Sequence, residues 1–148
     1  MKILIQRVSF AKVEVDGKIV GEIGAGVLVF VGITHTDTAI ESAWLANKLV
    51  GLRIFEDAQG KINQSIIDQK GSALIISQFT LYAECNDGRR PSFTEAAPPE
   101  IAKPLYEKFV EDVKKSGVPI ATGIFGAEMK VSLLNNGPVT LILEKSPP

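Results

Sequence analysis

Ser77-Gln78-Phe79-Thr80 places three hydrogen-bonding side chains within four residues at the end of an apolar run. Polar groups set where a strand leaves the core can form the rim of a pocket. They can equally satisfy nearby backbone groups, and spacing alone favours that plainer role. Gly88-Arg89-Arg90-Pro91-Ser92-Phe93 gathers two guanidiniums and an aromatic in one loop, suited either to phosphate and an RNA end or to plain solvent. Asn135-Asn136-Gly137-Pro138 predicts a turn, with one backbone donor removed by the proline and an ordinary trans linkage. His35, between Thr34 and Thr36, would have to be the base of any serine–histidine arrangement. No Gly-x-Ser-x-Gly elbow accompanies it, so a loop histidine without catalytic duty is the better expectation.

Other chemistries are excluded by counting. One cysteine, Cys85, and one histidine rule out an internal disulfide, a Cys-cluster metal site and multi-histidine ligation. Gly21, Gly24 and Gly26 do not follow the GxGxxG spacing and precede a strand, so they are expected as turn glycines, with no phosphate loop. No metal or other cofactor is expected. Sixteen Lys and Arg against seventeen Asp and Glu leave a net charge of −1, so any RNA contact must be local. The longest apolar run, 27–33, is far short of the roughly 20 residues of a membrane span, and the opening residues lack signal-peptide architecture. No membrane association and a cytosolic location are therefore expected. An enzyme with this inventory lacks an activated nucleophile, and its difficult step needs help from elsewhere.

The elements that must position these residues follow from periodicity. The 148 residues, 45% hydrophobic and 22% charged, can bury a full core in one domain, 1–148. Ala11, Val13 and Val15 alternate with charged residues, and Asp16-Gly17 offers the positive φ values of a tight hairpin before a second strand at 18–23. Residues 24–26 turn, and 27–32 form a buried strand. Thr38 with Glu41 is a capping box for a helix over 38–51, with Trp44 expected in the core. A short strand at 53–55, a turn at 57–60, a buried strand at 72–79 and a loop at 83–97 follow. Ile101, Leu105, Phe109 and Val113 mark a second helix closed by Gly117 and Pro119. Pro104 fits this helix only in its first turn, so the residues before it are expected as a separate short turn. Two strands, 129–133 and 139–143, flank the Asn-Asn-Gly-Pro turn. The fold class is α+β, with two helices packed on a mostly antiparallel sheet or barrel.

Taken together, Gln6-Arg7-Val8-Ser9, residues 51–57, Ser77-Gln78-Phe79-Thr80-Leu81, Gly88 to Phe93, Phe125-Gly126-Ala127 and Asn135 to Thr140 make the chain resemble a D-aminoacyl-tRNA deacylase, collinearly over nearly its whole length. One departure is Asn136, where the family commonly carries Asp. The resemblance implies a cytosolic homodimer that hydrolyses the ester between a D-amino acid, or glycine, and the 3′-terminal adenosine of tRNA. Its pockets would lie at the subunit interface, with Ser77 to Thr80 of one copy facing Gly137-Pro138 of the other. It further implies a cis Gly-Pro bond whose carbonyls collide with an L side chain and pass a D one, a filter built on repulsion. The family's chemistry is assisted by the ribose 2′-hydroxyl. Gln78 with the backbone N–H groups around Phe79 and Thr80 would form the catalytic oxyanion and orientation shell. Arg7 would brace the Gly-Pro corner or make a surface ion pair. Met129 would line the adenosine pocket or belong to the core, and Arg89 and Arg90 would meet acceptor-stem phosphates. Two rival functions are a non-catalytic module that binds a nucleic-acid end, and a side-chain ester hydrolase using Thr80 or Ser77 with His35.

Overall fold

A computed structural model describes residues 1–148. Its organising element is β1, Lys2–Val15, a strand of 14 residues. The Asp16-Gly17 turn, with φ of 51° and 76°, returns the chain into β2, Lys18–Ile23, antiparallel to the second half of β1. After a bend the chain continues as β3, Gly26–Gly32, along the first half of the same edge. The other edge of β1 is covered by β8, Lys130–Glu144, over nearly its full length. The alternation at 11–15 therefore marks only the second half of a strand that begins at Lys2, where Ile3 and Ile5 already alternate inward.

Helix α1, Ala39–Gly51, starts at the expected capping box: Ile40 N–H donates to Thr38 Oγ1 at 3.2 Å and Thr38 N–H to Glu41 Oε2 at 2.7 Å. The Thr38 hydroxyl also donates to Glu41 and holds its carboxyl below the usual carboxylate range. A carboxyl lowered by folding contributes stability above its unfolded pKa and loses it as pH falls through the folded value. Thr38→Ala is expected to cost about 1 kcal/mol in urea unfolding at neutral pH, a difference that shrinks under acid.

Trp44 departs from expectation. The inward stripe of α1 is Glu41, Ser42, Leu45, Ala46 and Leu49, and Trp44 sits one residue off it, exposed. Beyond α1 come the short pair β4, Phe55–Glu56, and β5, Ile62–Gln64, and then β6, Ser72–Ser77, parallel to β3. This strand stops at Ser77 rather than at 79, because Phe79–Tyr82 winds into a 3-10 turn. Helix α2, Pro99–Lys115, corrects the expectation for Pro104: the helix is continuous through it. Pro104 and Glu100 are both exposed, so the carbonyl that loses its partner opens to water. Gly117, at φ 95°, follows the helix as expected.

Strand β7, Ile120–Thr122, lies parallel to β6, giving the order β2-β1-β3-β6-β7 with β8 beside β1. Sequence-distant parallel pairing at β3-β6-β7 joins the expected antiparallel half. The sheet curls until β2 approaches β7: a Cβ built on Gly21 would stand 2.5 Å from the Thr122 carbonyl oxygen. Gly21 is thus a strand residue required by close approach, not a turn glycine. Two helices cover one face of the sheet over a cluster of 21 buried residues, and Val8, Ala11, Val13, Leu28, Leu74 and Ile76 fill the curl. The buried Tyr106 hydroxyl ties α2 to the sheet by donating to the Ile75 carbonyl at 2.8 Å. No helix is long and apolar enough to cross a membrane.

Candidate functional site

A pocket of about 390 Å³ opens where β3 and β6 end and α2 begins. Its walls are mostly apolar, with Val31, Phe93, Ala102 and Phe125 among them, while Ser77 and Gln78 supply polar edges. Gln78 is fixed by its own backbone, its N–H donating to the Val31 carbonyl at 2.7 Å. The 3-10 turn begins with Leu81 N–H donating to the Gln78 carbonyl. The N–H groups of Phe79 and Thr80 stand ahead of that first bond and have no acceptor within the turn. The Phe79 ring, 57% exposed, meets Phe93 edge-on at 5.3 Å and reaches outward rather than into the core.

Beside Thr80, Gln78 Nε2 donates to the Thr80 hydroxyl oxygen. An amide NH2 has no basic lone pair, so this contact orients Thr80 without activating it. His35 lies outside both pockets that include Ser77, and its Nε2 is 2.7 Å from the Thr94 carbonyl. Met129 lines a smaller cavity of about 230 Å³ on the other side of Ser77, Gln78 and Phe79, and also packs on the apolar cluster inside the curl. Arg89 and Arg90 are exposed in a loop pinched by paired bonds between Glu84 and Ser92, at 2.8 and 2.9 Å, and make no ion pair. The side chains form no group of three or more His, Cys, Asp or Glu able to hold a metal ion.

The Asn-Asn-Gly-Pro segment is not a turn between two strands. It is a break in register inside the continuous β8, and Gly137-Pro138 is cis. Its support comes from Arg7, which is 6% exposed and makes no ion pair. Nε donates to the Asn136 carbonyl at 3.0 Å and Nη1 to the Ile54 carbonyl at 2.8 Å. Asn136 contributes its backbone oxygen to this bond, so the identity of its side chain does not enter it. A Cβ on Gly137, whose φ is 125°, would stand 2.7 Å from Arg7 Nη2. Asn135 completes the corner. In the orientation that satisfies its amide, it donates to the Arg7 and Val139 carbonyls at 3.0 and 3.2 Å and accepts from Thr140 Oγ1. Sequence reasoning included Asn135 and Phe125 in its motifs but gave them no individual role, because their neighbours are distant in sequence or lie across a strand break.

Gly137 and Pro138 are exposed and line neither pocket. Register explains why: Ser77 is level with Val31, Val31 with Ile3, and Ile3 with Leu143, whereas Asn135 is level with Val8. Pocket rim and corner are therefore three strands apart, about 14 Å, and displaced further along the strands.

A D-aminoacyl-tRNA deacylase of Thermomicrobium roseum is 55% identical over 146 residues, 99% of this chain and 95% of the relative. A solved structure described as c-Myc DNA Unwinding Element Binding Protein superimposes with TM-score 0.93 at 40% identity, over 99% of this chain and 100% of that one. Another, described as a probable eukaryotic D-amino acid tRNA deacylase, shares the fold at TM-score 0.80 and 18% identity, over 96% and 97% of the two chains. With these likenesses, the chain is a hydrolase acting on a carboxylic ester. The family model described as D-Tyr-tRNA(Tyr) deacylase matches residues 4–144, and the chain belongs to that family.

Proposed function

We propose that the protein hydrolyses the ester joining a D-amino acid, or glycine, to the 3′-terminal adenosine of tRNA, in the cytoplasm and as a homodimer. The observation that carries this reading is a pocket whose rim offers hydrogen-bond donors but no base. The N–H groups of Phe79 and Thr80 are free within their turn to meet a developing oxyanion, and Gln78 orients the ester beside them. Attack then needs a hydroxyl that the substrate brings, the ribose 2′-OH, which assists water at the carbonyl carbon. The ester C–O bond breaks, the adenosine oxygen takes the proton, and the free amino acid leaves.

Handedness is assigned to Gly137-Pro138 of the partner copy. The separation of this corner from its own pocket supports delivery by a second subunit, and Arg7 holds the corner through the Asn136 carbonyl. Carbonyls so held reject an L side chain by collision. Met129 is assigned to the adenosine side of the site, and Arg89 and Arg90 to the acceptor-stem phosphates. The decisive assay follows ester loss from D- and L-tyrosyl-tRNA and from glycyl-tRNA. Rapid loss of the D and glycyl esters with the L ester intact supports the deacylase reading and its specificity.

The name of the 40% identical structure refers to DNA binding, which favours one rival, a module that holds a nucleic-acid end and leaves esters intact. Binding without hydrolysis of any of the three esters would establish it. His35→Ala is expected to leave turnover within about twofold, since the ring contacts a loop carbonyl. A loss of activity of a hundredfold or more would revive the side-chain hydrolase.

A further inference from the structure

The aromatic that left the core has two cations on it. Trp44 is 41% exposed, and the ammonium groups of Lys48 and Lys145 lie 5.9 and 5.3 Å from its ring centroid. Lys48 is one helical turn further along α1. Lys145 follows β8, and its backbone is fixed: its N–H donates to the Met1 carbonyl at 3.0 Å, and its carbonyl accepts from the Met1 amino group at 2.9 Å. Neither ammonium is neutralised, because the chain's two ion pairs are Met1–Asp37 and Lys108–Asp112. Among nearby carboxylates, Asp37 is taken by the Met1 amino group and Glu41 is buried in its cap. Glu144 is level with Lys2, on the face of β8 opposite its neighbour Lys145.

This cluster shares the helix-covered side of the sheet with the pocket, since Leu45, Leu49, Val31 and Ala102 belong to one buried core. The register that separates Ser77 from Leu143 by three strands puts Lys145, two residues further on, about 14 Å across the sheet and about 7 Å along it from the pocket rim, roughly 16 Å in all. At about 3.4 Å or more per nucleotide, about four to five nucleotides of single strand cover that span. We infer that Trp44, Lys48 and Lys145 form a second contact for the RNA of the substrate. The lysines meet phosphates of the single-stranded 3′ tail a few nucleotides before the terminal adenosine, and the indole offers a face to one base. A protein of net charge −1 needs such a local cation cluster to hold a polyanion. The inference rests on the deacylase reading, and it adds a surface to which the resemblance assigned no role.

The test compares wild-type protein, the Lys48→Ala/Lys145→Ala double variant and Trp44→Leu on two substrates, full-length D-tyrosyl-tRNA and the D-tyrosyl ester of adenosine. For the double variant, kcat/KM on full-length substrate is expected to fall about tenfold at 0.1 M salt. The slope of its logarithm against log salt is expected to flatten by about 1.4, at about 0.7 per single-strand phosphate lost. Trp44→Leu is expected to lower kcat/KM on full-length substrate several-fold without changing that slope. The adenosine ester should be cleaved equally by all three proteins. Unchanged kinetics on both substrates, or an equal loss on both, overturns the surface while the deacylase reading stands. Failure of the wild-type protein on both substrates removes that reading, and this surface with it.

Discussion

A D-aminoacyl-tRNA whose terminal ribose carries hydrogen in place of the 2′-hydroxyl is expected to be hydrolysed about a hundred to a thousand times more slowly, the loss typical of one transition-state hydrogen bond. Thr80→Ala on the unmodified substrate is expected to keep the rate within about tenfold. The contrast follows from what faces Thr80. Its oxygen accepts from the Gln78 NH2, a group that donates and has no basic lone pair, and the single imidazole of the chain is engaged with the Thr94 carbonyl. A hydroxyl without a base stays protonated near neutrality and attacks poorly. Single-turnover kinetics with both substrates and both proteins make the measurement. An inactive Thr80→Ala protein together with brisk turnover of the deoxy substrate would make Thr80 the nucleophile and end the substrate-assisted account.

Features decided within a few residues were legible in the sequence. Asp16-Gly17 makes its hairpin, and Thr38 and Glu41 close their cap, because each needs only its own backbone. Ser77 to Thr80 was recognisable as a polar strand end, but not the early stop at Ser77, where the chain turns into the 3-10 turn of Phe79–Tyr82 under the apolar pocket wall. Trp44 was misplaced because composition pulls tryptophan inward, whereas the phase of Leu45 and Leu49 turns it outward. The Asn-Asn-Gly-Pro segment carries turn-forming residues, and spacing alone predicted a turn. Its continuity with β8 is imposed by β1 running alongside and by Arg7, 129 positions away from the carbonyl it holds. The pocket walls were least legible, since Phe93 and Phe125 come from separate loops that meet only after the sheet has formed.

Arg7→Lys is expected to fold and yet lose D-ester turnover by about a hundredfold, because the proposed corner walls the partner's pocket and so sets where the D ester lies as well as excluding the L side chain, and a misplacement near 1 Å at a positioning group has that effect. A guanidinium forks to the Asn136 and Ile54 carbonyls at once, whereas one ammonium on a flexible stem satisfies one of them. The carbonyl left bare costs about 1 to 3 kcal/mol, visible as a lower urea midpoint. A second variant separates disorder of the corner from general damage. Phe79→Pro removes one N–H from the proposed oxyanion shell, at a position opening the 3-10 turn where proline is tolerated, and Gln78 before it, at φ −145° and ψ 85°, is outside the helical region that a following proline disfavours. It is expected to lose turnover about a hundredfold or more. The two defects lie on different surfaces of the proposed dimer, so a subunit carrying both a sound pocket and a faulty corner can be completed by one with the reverse. Equal amounts of the two variants, unfolded and refolded together, give half mixed dimers with one complete site each, about a quarter of wild-type turnover from two nearly inactive proteins. Sedimentation at equilibrium confirms the dimer in the same sample. A refolded mixture no more active than its components, with dimers present, would place pocket and corner in the same subunit and remove the partner's corner from the site.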